Sequence, residues 1–281
     1  MPLPSHLPSL FVPHGAPTFA LRPGAAGAAM VRAAGSLPRP RAVIVVSAHW
    51  DTAQPTVGLA SRPETVHDFW GFPEELYSLR YPATGCREAA LEVLAQLDAA
   101  GLTAVADENR GLDHGAWIPL RLMFPEADVP VIPLSIQSRL GPEHHLRLGR
   151  ALAPLAARGF LLLASGNLTH NLRDYQLSAL RGAAVPDYVR AFPDWIWQQL
   201  AAGNVDALLD YRRQAPDAAR AHPTDEHLLP LYVALGAAGN AARAERLHAG
   251  IDDYVIAMDA FAFRPIINSA QPKPGNGGFD E

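Results

Sequence analysis

Ala42-Val43-Ile44-Val45-Val46-Ser47-Ala48-His49-Trp50 is a continuous run of apolar, largely β-branched residues that closes on a histidine. β-Branched side chains are stiff at χ1 and pack well on a pleated surface. A run without polar alternation has no side for water, so Arg41 to Ser47 reads as a strand buried on both faces. Phe160-Leu161-Leu162-Leu163-Ala164, which leads into Ser165-Gly166-Asn167, reads the same way. Ser9 to Val12 is a shorter version, stopped by Pro13-His14-Gly15. Further strands are expected over Thr56 to Ala60, Thr103 to Ala106, Val129 to Ile136 and Met258 to Phe263.

Between these runs the spacing changes to that of helices. Ala25 to Ala34 is rich in alanine. Glu88 to Ala100 sets Leu91, Leu94 and Leu97 three residues apart, with Gly101 as its cap. Helices are also expected over Trp117 to Met123, His144 to Arg158, Pro186 to Tyr211 (anchored by Trp195, Trp197 and Leu200) and His227 to Ala237, the last capped by Thr224 or Asp225. Strands alternating with helices give an α/β fold, a single domain with a central mixed or mainly parallel sheet flanked by helices. No repeat or linker divides the chain. The catalytic domain is expected over residues 1–267, and residues 268–281 form a polar Pro/Gly-rich tail without expected structure.

Composition removes several classes of function. The 281 residues are 49% hydrophobic with a net charge of −5, which leaves no basic surface for nucleic acid. No apolar run approaches the roughly 20 residues that cross a bilayer, and no signal peptide is visible, so a cytoplasmic protein is expected. Lys273 is the only lysine and lies in the tail, which removes P-loop and Schiff-base chemistry from the domain. Cys86 is the only cysteine; it opens a helix with no histidine near it in sequence, a poor setting for a nucleophile and compatible with a reducing compartment.

The histidines remain. His14, His49 and His170 follow three separate buried strands, and His227 stands at a helix start. In open α/β sheets ligands bind beyond the carboxyl ends of the strands, so three strands deliver these rings to one place. Neutral imidazole is a ligand for zinc, iron and copper. A single strand-end histidine is usually an ordinary polar residue; several together indicate a metal site. Ser165 and Asn167 are placed to hold a ligand. His114, in Gly111-Leu112-Asp113-His114-Gly115-Ala116-Trp117, suits acid/base work or substrate contact better than ligation, and its adjacency to Asp113 does not make the two a pair. His67-Asp68-Phe69-Trp70-Gly71-Phe72-Pro73 is either a surface loop packing its rings on the core or the wall of a pocket for a flat aromatic molecule. His6, His144, His145 and His248 are expected at the surface, His145 and His248 on helices.

Six of these segments occur in a familiar order: Phe11 to Pro17, Val46 to Trp50, His67 to Pro73, Leu112 to Trp117, Ser165 to Asn171 and His222 to Pro230. Together they resemble the class III extradiol ring-cleavage dioxygenases, specifically the DOPA-dioxygenase-like branch. The likeness runs from about Pro8 to Arg264. It implies a metal held by His14, His49 and His227, with His170 as a fourth ligand or as the base beside the metal. It implies Fe(II) for activity, with Zn(II) also found in this branch, and a small aromatic substrate cleaved with O2. His170 and His114 are then the catalytic histidines. His114, His67, Phe69, Trp70 and Trp117 are the substrate-side residues. The wider superfamily uses two histidines and a carboxylate; here His227 takes the third position, with Asp225 and Glu226 as its neighbours. The alternative from residue pattern alone is a zinc-dependent hydrolase, since three imidazoles and a water on Zn(II) generate hydroxide near neutral pH.

Overall fold

The structure is a computed structural model that describes residues 6–181, 184–239 and 241–266. The expected C-terminal tail and its lysine lie outside them. Ten strands are seen among these residues: β1 (Ser9–Pro13), β2 (Ala42–Asp51), β3 (Thr56–Gly58), β4 (Val105–Asp107), β5 (Val131–Ile136), β6 (Phe160–Gly166), β7 (Ala242–His248), β8 (Ile251–Asp252), β9 (Ile256–Ala257) and β10 (Ala260–Pro265). Eight of them build one mixed sheet in the order β4-β3-β5-β2-β6-β1-β10-β7, and β8 and β9 form a separate pair.

The centre of the sheet is parallel. β6 lies between β1 and β2 and runs parallel to both, and β2 is also parallel to β5. β1, β5 and β6 are buried at every residue, as continuous apolar strands covered on both faces must be. One group of helices, Leu229–Ala237 with Gly141–Leu152 behind it, packs on β1, β2 and β6; another, His114–Met123 with Gly24–Gly35, covers β2, β6 and the β7 edge. The register decides where the site can be. Pro13 of β1 pairs with Gly166 of β6, and Ser47 of β2 pairs with Ser165. The carboxyl ends of β1 and β6 are therefore level, while β2 runs past that level to Asp51 and carries His49 within it.

Several expected elements shift. Leu91 is 48% exposed, and the buried stripe of the Arg87–Ala99 helix is Ala89, Ala90, Val93 and Leu97. The long stretch after Pro186 is three helices, Tyr188–Ala202, Val205–Leu209 and Tyr211–Gln214; its buried anchors are Phe192, Ile196 and Leu200, while Trp195 and Trp197 are half-buried and Trp197 stacks on Phe261. His227 precedes the Leu229–Ala237 helix, whose start has no side-chain cap; the backbone carbonyl of Asp225 accepts from the Leu228 and Leu229 amides instead. The expected last strand, Met258 to Phe263, is β10, shifted to Ala260–Pro265, and the short β9 precedes it.

Three histidines that the sequence places at the surface are not there; His144 is half-buried, its Nε2 donating to Gln137 Oε1 at 2.9 Å. His248 ends strand β7 and is half-buried. His145 is fully buried: its Nδ1 donates to the Gly141 carbonyl at 2.7 Å, and its Nε2 accepts from the Gln137 amide at 3.1 Å. Burial lowers its pKa to about 4. It is neutral in the fold, whereas the unfolded chain takes up a proton below the ordinary value near 6.5. Its contribution is therefore fully present above that value and is lost as pH falls toward 4. His145→Leu leaves the Gln137 N–H without an acceptor and is expected to cost about 1–3 kcal/mol near neutral pH. Urea unfolding at pH 7.5 and 5 should show the wild type losing more stability than the variant between the two conditions. An equal or larger loss in the variant would contradict this assignment.

Candidate metal centre

His14 follows the end of β1, His49 lies near the end of β2, and His227 comes from a turn before a helix. Pro13 ends β1, and Gly15 turns the chain with φ +62°, a conformation side-chain-bearing residues avoid. His14 is thereby held under the sheet end. His49 sits two residues beyond the Ser47 pairing, where the β2/β5 register is irregular. His227 comes from a turn that lies directly on β6: the Asn167 amide donates to the His227 carbonyl at 3.0 Å, and a Cβ added at Gly166 would overlap that carbonyl. Only glycine lets this turn approach the strand so closely.

The ring nitrogens meet. His49 Nε2 is 3.2 Å from His14 Nε2 and 3.2 Å from His227 Nε2. The opposite nitrogens face oxygens: His14 Nδ1 is 2.9 Å from Ser165 Oγ, His227 Nδ1 is 3.2 Å from Glu226 Oε1, and His49 Nδ1 is 3.5 Å from Asp68 Oδ2. The Glu226 carboxylate accepts only, so it fixes N–H at Nδ1 of His227, and the Asp68 carboxylate near His49 Nδ1 favours the same tautomer there. For His14 the amide of Asn167 decides. Its Oδ1 accepts from Gly15 N at 3.1 Å, which turns its NH2 toward His14 Nε2 at 3.3 Å, so Nε2 carries the lone pair and Nδ1–H donates to Ser165. Three Nε2 lone pairs thus converge with no proton to separate them. Nitrogens bound to one cation at about 2.0–2.1 Å stand about 3.0–3.4 Å apart, which the observed separations match. The donor set fits a divalent metal.

Electrostatics agree. Burial first, then repulsion from neighbouring histidines, holds His14 and His227 well below the ordinary imidazole range. Burial and His114 do the same for His49 against the opposing pull of Asp68. Neutral rings are the form that binds metal.

His170 stacks on His227, with ring centroids 3.4 Å apart and planes 9° from parallel, and its Nδ1 lies 3.8 Å from Glu226 Oε1. Burial brings its pKa to about 4. Ligand atoms of His170, Glu226 and His227 lie within 4.8 Å of one another, as do those of His14, His49 and His114. Glu226 stands at the Nδ1 side of His227, away from the cluster of Nε2 atoms, and Asp225 is paired with Arg212.

His114 opens the His114–Met123 helix, which is capped by the Asp113 side chain. Asp113 points away from it, to Ser47 Oγ at 2.5 Å and to Arg110. The partner of His114 is Asp68, which accepts from the His114 backbone amide at 2.8 Å and lies 3.0 Å from Nδ1. His114 Nε2 is left for the cleft. Burial works to raise the Asp68 pKa, but the hydrogen bond and electrostatic pull of His114, with that of His49, outweigh it and hold the carboxyl well below its usual range. In the sequence Asp68 stands out only as part of an aromatic segment. Its partner lies 46 residues away, at no helical or strand spacing, so no local pattern marks it.

A cleft of about 310 Å3 opens over the cluster. His14, His49, His114, His170 and His227 form its floor, and Phe69 and Trp70 line it. Pro17, from the Phe11 to Pro17 segment, lines it too, as do Leu172, Tyr175 and Ile256, which had no signal in the sequence. His67 and Trp117 do not line it. His67 packs against Phe69 with its Nε2 at the Leu79 carbonyl, and Trp117 is fully buried, donating from Nε1 to Val66 O.

Comparison with known proteins agrees with this geometry. The family described as the catalytic LigB subunit of aromatic ring-opening dioxygenase matches residues 4–258. A 4,5-DOPA dioxygenase extradiol of Beta vulgaris is 41% identical over 226 residues, 80% of this chain and 83% of that protein. One from Escherichia coli K12 is 37% identical over 237 residues, 83% of this chain and 86% of that protein. A solved structure of an uncharacterized Escherichia coli K12 protein superposes with a TM-score of 0.74 at 29% identity, covering 91% of this chain and 99% of that one.

Two substitutions test the centre. His49→Ala should abolish stoichiometric metal binding, measured by elemental analysis after dialysis, with an unchanged circular dichroism spectrum; full occupancy would sink the site. Gly166→Ala should displace the His227 turn and weaken metal affinity by about ten-fold or more, as loss of support around a ligand does.

Proposed function

Because the chain belongs to the family of catalytic LigB subunits of aromatic ring-opening dioxygenases, we propose that its extradiol cleavage runs on Fe(II) held by His14, His49 and His227, with a catechol-type substrate. The relatives named for 4,5-DOPA cleavage make a catechol the substrate class. The observation that carries the reading is the meeting of His14, His49 and His227 through unprotonated Nε2 atoms on the floor of an aromatic-walled cleft.

Fe(II) bound there supplies Lewis acidity toward the catechol oxygens and a route for electrons to O2. The chain's own residues do the rest. His170, neutral because it is buried, accepts a proton from a substrate hydroxyl, and Glu226 beside its Nδ1 favours the imidazolium that results. His114 presents Nε2 to the cleft because Asp68 occupies Nδ1, so it engages the ring oxygen and passes a proton as the ring opens. Phe69 and Trp70 stack against a planar substrate. His67 and Trp117 act from behind, fixing the Phe69 wall. His170 serves as the base rather than as a fourth ligand, because its ring is engaged face to face with His227. The domain spans residues 1–267. The single cysteine fits a cytoplasmic setting.

Anaerobically Fe(II)-loaded protein should consume one O2 per catechol and place both oxygen atoms of labelled O2 in a ring-opened product. His114→Ala should lower kcat by about 10²–10⁴-fold with metal retained. Absent O2 uptake across a catechol panel, with ester hydrolysis by the Zn(II) form, would replace this reading by a hydrolase.

A further inference from the structure

The cleft wall above the histidines is mostly apolar, with Tyr175 of the Leu172–Arg181 helix and Asp68 as its polar side chains. Pro17 follows β1, Phe69, Trp70 and Phe72 come from the loop before residue 74, Leu172 opens the Leu172–Arg181 helix, and Ile256 belongs to β9. Two of these are exposed at the rim: Trp70 at 85% and Leu172 at 59%. Among the described residues Trp70 is the most exposed large hydrophobic side chain. Apolar surface left open at the mouth of a cleft is surface that an apolar ligand covers.

Charge is distributed the other way. Apart from the histidines, the charged side chain lining the cleft is the Asp68 carboxylate, and among the described residues no arginine or lysine lines it. Arg22 lies in a neighbouring cleft that shares only Ala16 with this one, and there it faces Asp252 and Asp253. Glu226 adds a second carboxylate beside His170 and His227. A carboxylate on the substrate's side chain, away from the metal that the ring oxygens occupy, would lose water on entering and meet no arginine or lysine among the described residues in return.

We propose that the physiological substrate is a catechol bearing an uncharged apolar substituent, seated between Trp70 and Leu172, and that catechols carrying a carboxylate are disfavoured. The proposal rests on the ring-cleavage reading above and narrows its substrate class. It sets this chain apart from what the names of its relatives state, since DOPA carries a carboxylate.

The test compares 4-ethylcatechol with 3,4-dihydroxyphenylacetate and DOPA on Fe(II)-loaded protein. The kcat/KM for 4-ethylcatechol should exceed that for either acid by about ten-fold or more. Binding is read separately from turnover, by tryptophan fluorescence, with 4-ethylphenol and 4-hydroxyphenylacetate, which are not catechols; 4-ethylphenol should bind more tightly than the acid. Leu172→Arg should narrow both ratios by supplying the missing cation. Equal or better use of the acids by the wild type overturns the proposal while leaving ring cleavage standing. Ratios unmoved by Leu172→Arg overturn the placement of the substituent at this rim. If no catechol is cleaved, the ring-cleavage reading falls, and the order of the two phenols' dissociation constants still decides this one.

Discussion

Three imidazole lone pairs face one another across 3.2 Å gaps at the end of the sheet, and most of what is unusual in the chain serves that arrangement. Without a cation it is unfavourable. The rings are buried and their pKa values depressed, so protonation offers little relief. Each Nδ1 is engaged by an oxygen from a different place: Ser165 at the end of β6, Asp68 in the aromatic loop, Glu226 beside the helix turn. Rotating His14 or His227 to ease the repulsion would break one of these bonds, and rotating His49 would draw its Nδ1 away from the Asp68 carboxylate. The fold holds the ligands in advance, and a metal turns a mutual repulsion into the strongest interaction in the site.

The sheet makes this possible through register. β6 lies between β1 and β2, with the ends of β1 and β6 level and β2 running on past them to Asp51. His14 and His49 come directly from the two flanking strands, and the central strand ends in a glycine that lets the His227 turn settle on it. The central strand also contributes Ser165 and Asn167, which fix the tautomer of His14. Two strand ends and one close-packed turn thus build the floor. The helix that begins at His114 adds the ring that looks into the cleft.

The strand cores and the histidines after them are legible in the sequence, because a buried run and its terminating Pro-His-Gly or Ala-His-Trp are local patterns. The alternation that gives the α/β class is equally local. The hidden features depend on distance. Asp68 takes its meaning from His114, and Tyr175, Leu172 and Ile256 join the cleft only because the chain returns to it. His145 looks like a surface residue in the sequence for the same reason: its helix has a buried face set by packing on the Leu229–Ala237 helix, and its partner is the loop after β5. Trp117 and His67 carry the right chemistry for a wall but stand behind it. Asp113 and His114 do not pair, as expected, since adjacent side chains diverge at a helix start and Asp113 caps the helix.

X-ray absorption at the iron edge of Fe(II)-loaded protein tests the three-histidine centre most directly. The predicted result is the multiple-scattering pattern of three imidazoles at about 2.0–2.2 Å, with no protein carboxylate bound to the metal. Two imidazoles and a carboxylate would contradict it, because Glu226 would then be a ligand rather than the acceptor that orients His227.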